Sequence, residues 1–298
     1  MTVCIAAKCA EGIIFGISDR MVTAGDIQFE PPATKIFPLT TSIVAMTSDE
    51  DAALHAEILQ DLTSDVADRV AKAPSTWLEV EFVTELYLKH RNEAKRRRAE
   101  RDVLFPLGLD SQTFINKQNT TSASFIRQIT SELVNYKLPG MSVIFCGADP
   151  KGQHIYVVHD NDIGCYDDIG FASIGIGARH ANSQFMFQGH NPNSPLAETL
   201  LLAYIAKKRA EVAPGVGTET DIFFVGPALG SYSPTLHEEL RKKLQVEYGK
   251  ILNNEKQAHK RARSEMNIYV KKIQEDAAAA AAATAPTTEQ STDVSKRS

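Results

Sequence analysis

The start of this 298-residue chain constrains its fold most. Two short runs, Val3–Cys9 and Ile13–Ser18, carry apolar or small residues at both parities. A strand with one solvated face alternates apolar and polar side chains, so this pattern predicts strands covered on two faces. Ala10-Glu11-Gly12 between them is a turn, which makes the pair a hairpin. A hairpin buried on both sides needs packing partners above and below it.

The rest of the chain supplies them in blocks. Lys35–Phe37 and Ser42–Met46 resume strand character after Pro31-Pro32. Good N-cap residues then open a helical stripe of Leu54, Ile58, Leu62, Val66 and Val70. A second helix is expected from Trp77, with Leu78, Phe82 and Leu86 on its apolar face, running into KHRNEAKRRRAER at residues 89–101. Residues 105–122 read as loop and Ala123–Tyr136 as a short helix. Strands return at Met141–Gly147, His154–His159 and Phe171–Gly177, followed by helices at Ala178–Gln188 and Pro195–Val212 and a buried strand at Asp221–Val225. Strand blocks separated by helix pairs, rather than strict alternation, place the chain in the α+β class.

From Ser233 to about Asp276 the sequence is helical in propensity. A continuous helix of ~44 residues would span ~65 Å, projecting from the body or breaking near Gly249. Seven alanines at 277–283 lead into TAPTTEQSTDVSKRS, and residues 277–298 are expected to form a disordered tail.

Composition narrows the function. Lys and Arg total 32 against 37 Asp and Glu, a net charge of −5, which gives no reason to expect an anionic partner. No aromatic residue interleaves the basic run 89–101, so it reads as a solvated helix end rather than a nucleic-acid surface. Four cysteines, at 4, 9, 146 and 165, show no metal or disulfide spacing and fit reduced thiols of a cytoplasmic protein. No apolar run approaches the ~20 residues of a membrane span, and the first residues lack the basic and apolar regions of a signal peptide.

Metal and cofactor motifs are absent from the sequence. The eight histidines lack HExxH or HxH spacing. Gly175-Ile176-Gly177 ends a strand and opens a helix, but the third glycine and downstream acid of a dinucleotide loop are missing. Thr2 is the more informative residue. Removal of Met1 would place an α-amine and a β-hydroxyl on one threonine, a known way to activate a hydroxyl nucleophile. Asp19 and Lys35 are polar residues at the ends of otherwise apolar strands. Buried, they must pair, and a lysine beside Thr2 would lower the pKa of its amine or hydroxyl. At exposed strand ends they would touch only water.

The stretch TVCIAAKCAEGIIFGISDRMVTAGDIQFEPPATKIF resembles the N-terminus of proteasome β-type subunits and the related bacterial threonine protease. Asp19, Thr23, Gly25 and Lys35 fall on the family's Asp-x-[RQ]-x-Thr-x-Gly motif and its downstream lysine, with one extra residue between Gly12 and Asp19. SDEDAALHAEIL resembles the first family helix, and FASIGIGARHA the strand and glycine turn before the third. The resemblance covers roughly the first 60 residues and 140–226, leaving 89–138 and everything past 230 as additions.

The resemblance implies a four-layer αββα sandwich of N-terminal nucleophile hydrolase type over residues 2–230, with a helical insertion near 89–138 and a helical extension at 231–276. It implies that Thr2 forms an acyl-enzyme from peptide or protein amides, supported by Asp19 and Lys35. Thr23 and Thr47 would bind substrate. No cofactor is implied. Family members work as rings or other homo-oligomers, with any ATPase partner unidentified here. The chain departs from the family where active members carry Ser between the two glycines (Ile176) and an Asp and a Ser near the last strand (Ala213 and Val216). Glu211 is close enough to replace that Asp. The Gly-rich turn that usually donates to the oxyanion reads Met46-Thr47-Ser48-Asp49. Two functions follow: a threonine peptidase or amidohydrolase, or a catalytically silent subunit that keeps the fold for assembly.

Overall fold

The computed structural model describes residues 2–24, 27–74, 76–226 and 234–284. Strands β1 (Cys4–Lys8) and β2 (Ile14–Ser18) open the chain, followed by β3 (Val22–Ala24), β4 (Ile27–Phe29), β5 (Ile36–Pro38) and β6 (Ile43–Asp49). Helices α1 (Ala52–Lys72), α2 (Val80–Ala99), α3 (Ser111–Lys117) and α4 (Ala123–Val134) precede β7 (Met141–Asp149), β8 (Gly152–His159), β9 (Asp162–Cys165) and β10 (Phe171–Ile174). Then come α5 (Ala178–Phe187), α6 (Leu196–Ala210), β11 (Asp221–Val225) and α7 (Pro234–Thr284). The described chain is α+β with antiparallel sheets.

The two-faced hairpin lies inside a four-stranded sheet of order β10-β1-β2-β11. Its two parities meet different neighbours. Cys4, Ala6 and Ile14 join Val44, Met46, Ile144, Cys146 and Ile155 of the five-stranded sheet β5-β6-β7-β8-β9 in one core. On the other side α5 packs on β10 and β1, and α6 on β1 and β2. Burial on both faces explains why neither parity is polar.

The five-stranded sheet turns its second face, with Ile43, Ala45, Val143, Phe145 and Val158, toward Leu54, Ile58, Leu62 and Val66 of α1 and Val83, Leu86 and Tyr87 of α2. Each fully buried aliphatic side chain here contributes ~1.5–3 kcal/mol relative to exposure. Tyr87 and Phe145 add a ring contact with centroids 5.3 Å apart.

The basic run is engaged by carboxylates. Arg91 pairs with Asp160, Arg97 with Glu57 and Asp61, Arg98 with Asp51, and Arg101 with Asp102. His90, Arg91 and Ala94 are buried, so the second half of α2 is a packing helix as well as a charged one.

Asp51 caps α1, accepting from Leu54 N at 2.9 Å and from Arg98 at 2.8 Å. The Leu54 amide, helped by the Arg98 guanidinium, holds its carboxyl below the usual aspartate range against the opposing effect of burial. Asp51→Ala should destabilise by ~1 kcal/mol at pH 7. A depressed folded pKa stabilises fully above the unfolded value of ~3.9 and is lost as pH falls through the folded one. Urea midpoints of parent and variant should therefore converge in acid; a difference that stays constant to low pH would rule out the ionised cap as its source.

Several segments differ from the sequence expectation. Residues 105–122 are not simply loop: a 3-10 turn at Phe105–Leu107 leads to α3, whose N-cap Asp110 accepts from Thr113 N. Between α2 and that turn lies a π-helical turn, Glu100–Leu104. β6 continues to Asp49 instead of ending at Met46, because its pairing with β7 persists through Asp49↔Met141. The β3–β4 ribbon and β9 are additional; Gly25, at the ribbon's turn in the sequence, lies outside the described residues.

The chain divides into two units, Met1–Leu244 and Gln245–Ser298. α7 does not stop at Asp276. It passes Gly249 unbroken and takes in the first alanines to Thr284, since alanine is the best helix former. Residues 285–298, the remainder of the expected tail, lie outside the described residues.

Candidate active site

The β1–β2 hairpin sets the site. Its register pairs Cys4 with Ser18, which brings Val3 alongside Asp19, and Asp19 N donates to Val3 O at 3.2 Å. The Asp19 carboxylate is fully buried. Oδ1 accepts from Val3 N (2.9 Å), Lys35 Nζ (3.1 Å) and Thr2 Oγ1. Oδ2 accepts from Met21 N (3.0 Å) and Gly217 N (2.9 Å). Lys35, one residue before β5, also donates from Nζ to Thr2 Oγ1 at 2.5 Å and to Met21 O at 2.6 Å. Its side chain is only 14% exposed. Asp19 and Lys35 therefore meet each other and Thr2 instead of standing at exposed strand ends.

Thr2 is itself buried. Gly177 N–H donates to its carbonyl at 3.2 Å, and Gly175 packs directly against it. Gly175 has φ +91°, and a Cβ there would lie 2.3 Å from Thr2 O and 2.8 Å from its Cγ2. Both conformation and space demand glycine at 175. The Gly175-Ile176-Gly177 turn thus seats the threonine backbone.

A cavity of about 180 Å³ opens beside Thr2, with Thr23, Lys35, Thr47, Asp49 and His55 in its wall. Thr23 Oγ1 is buried and has no hydrogen-bond partner among the described residues. Thr47 is buried, and its N–H donates to Lys35 O at 3.2 Å, tying β6 to the lysine. All five site residues expected from sequence, Thr2, Asp19, Thr23, Lys35 and Thr47, border this one cavity or the carboxylate behind it.

Other groups were not expected. His55 Nδ1 lies 3.0 Å from Asp49 Oδ2, and its Nε2 lies 3.1 Å from Tyr87 Oη. The sequence hints at this only through a histidine next to the Leu54 stripe position. Gly217 acts through its backbone, for which no side chain gives a signal. Glu211 binds Lys207 at 2.6 Å and Lys208 at 2.8 Å, so it is not a free carboxylate. Ala213 and Val216 are buried, while Ile176 is half exposed.

Chemically, the Thr2 hydroxyl is held between an ammonium donor and a carboxylate acceptor. The cation 2.5 Å from the oxygen favours its ionised form, and the Asp19 carboxylate that accepts the hydroxyl proton opposes it. Asp19, fixed by three backbone amides, orients both partners without reorganisation. The nearby Cys4 thiol stays protonated: burial, only partly offset by Lys35, pushes it up to about 12.

Among the described residues no cluster of His, Cys, Asp or Glu could hold a metal ion, and no helix is long and apolar enough to cross a membrane. No protein-family model matches the chain, and no curated protein matches it in sequence.

Proposed function

We propose that this chain is a proteasome-like N-terminal threonine hydrolase that cleaves peptide or other amide bonds through an acyl-enzyme on Thr2. The observation that carries the reading is the Thr2 hydroxyl clasped between Lys35 and Asp19 at the wall of a cavity. A core shared by two sheets, with a helix pair packed on the outer face of each, supports a four-layer αββα sandwich of this hydrolase type.

Cleavage of the Met1–Thr2 bond frees the α-amine. Thr2 Oγ1 then attacks the substrate carbonyl carbon and its proton passes to that amine. Lys35 stabilises the negative charge on the threonine oxygen, and Asp19 holds Lys35 in place. The amine returns the proton to the leaving nitrogen as the C–N bond breaks, and water hydrolyses the Thr2 ester. Thr23 and Thr47 line the substrate's side of the site. The cycle needs no cofactor. The reading carries with it a homo-oligomer and a cytoplasmic setting and assigns no ATPase partner; the setting agrees with four free cysteines.

A second reading, a catalytically silent assembly subunit, is favoured by Ile176, Ala213 and Val216, which offer the amine no polar side chain. One experiment separates the two. The full chain is incubated with an acylating inhibitor that requires a free N-terminal threonine, and its intact mass and N-terminal sequence are read. One adduct, mapped to Thr2 of a chain lacking Met1, is the expected result. No adduct at any pH between 6 and 9 would leave the silent subunit.

A further inference from the structure

Lys207, on α6, is a lysine with no exposed surface. Its ammonium has three acceptors: Glu211 Oε1 at 2.6 Å, Gly217 O at 2.9 Å and Thr218 O at 3.0 Å. Burial lowers its pKa, and the Glu211 carboxylate works against that shift. The same short segment is gripped from its other side by Glu30, whose carboxylate accepts from Thr218 Oγ1 and Glu219 N, each at 3.0 Å. Held between these two groups, Gly217 donates its N–H to Asp19 Oδ2 at 2.9 Å. The fit is tight, since a Cβ on Gly217 would lie 1.9 Å from Glu30 Oε1.

We propose that Lys207 is a positioning residue of the Thr2 site: by fixing the Gly217 and Thr218 carbonyls it holds the Gly217 N–H on Asp19, and so sets the carboxylate against Thr2 and Lys35. Lys207 touches none of the three. Its positional influence passes through one backbone amide, beside a minor Coulomb attraction to Asp19, and small displacements of a catalytic group reduce rate steeply. The effect on rate rests on the hydrolase reading above; the clamp on Gly217 does not.

The test compares Lys207→Met and Lys207→Gln with the parent as full chains. Amide exchange at Gly217 is followed by NMR, and acylation of Thr2 is followed by mass. In Lys207→Met, Gly217 exchange should accelerate about tenfold or more while the amides of β1, β2 and β11 keep their protection. Acylation at saturating inhibitor should slow on the order of 10–100-fold, with the half-saturating concentration unchanged. Lys207→Gln retains donors for the carbonyls and should fall between; it carries the test if the methionine variant does not fold. Unchanged Gly217 exchange would overturn the proposal. So would acceleration spread evenly over the whole sheet, which marks a generally stabilising ion pair, or a local acceleration that leaves acylation at the parent rate. If the parent itself does not acylate, the hydrolase reading fails and the exchange result alone decides the clamp.

Discussion

Thr2→Ala is expected to abolish acylation, a loss on the order of 10⁴-fold or more, while leaving the fold intact. Alanine keeps the backbone that Gly177 holds and removes the one oxygen that lies between Lys35 and Asp19. Thr2→Ser, which restores the hydroxyl, should recover much of the rate. Lys35→Met separates charge from nucleophile: the hydroxyl stays, but the cation 2.5 Å away is gone, and acylation should fall by ~10² or more. Rates are read as adduct mass against time. An alanine variant that acylates like the parent would place the nucleophile elsewhere.

Asp19→Ala should be the most destabilising of the site substitutions, at about 3–5 kcal/mol. The carboxylate is fully buried and accepts from three backbone amides, a lysine and a hydroxyl. Its removal leaves the Lys35 ammonium buried without its counter-charge and strands the amides of Val3, Met21 and Gly217. Lys35→Met should cost less, because Asp19 keeps its three amide donors. For a unit of this size each kcal/mol moves the melting temperature by ~2–4 °C, so Asp19→Ala should melt roughly 10 °C below the parent. Calorimetric scans of the two variants side by side check the order; a larger loss in Lys35→Met would mean that the lysine, not the carboxylate, organises the cage.

Much of this is legible in the sequence. Apolar residues at both parities in β1 and β2 announce a doubly covered hairpin, because a face without polar side chains must be removed from water. Helix α1 is written in its stripe and the N-cap residues before it, although Leu54, Ile58, Leu62 and Val66 are buried and Val70, the fifth stripe position, is exposed; Thr2, Asp19 and Lys35 stand out as polar residues beside apolar strands. Elements set by weaker local signals were not legible. β9 and the β3–β4 ribbon are short pairs whose strand state comes from a neighbour, and β6 reaches Asp49 only because β7 continues alongside it. The alanines join α7 because propensity acts along the helix even where a side chain buries nothing.

The sequence by itself determined the class of elements and the residue types able to do acyl chemistry, since hydrophobic period and side-chain functional groups are local properties. Tertiary structure alone decided that Asp19 would be caged by the amides of Val3, Met21 and Gly217, and that Lys207 would be sealed beneath the loop holding Gly217. Those outcomes rest on backbone donors and on partners up to 198 positions apart in the chain, and a backbone amide carries no mark in the sequence of where it will point.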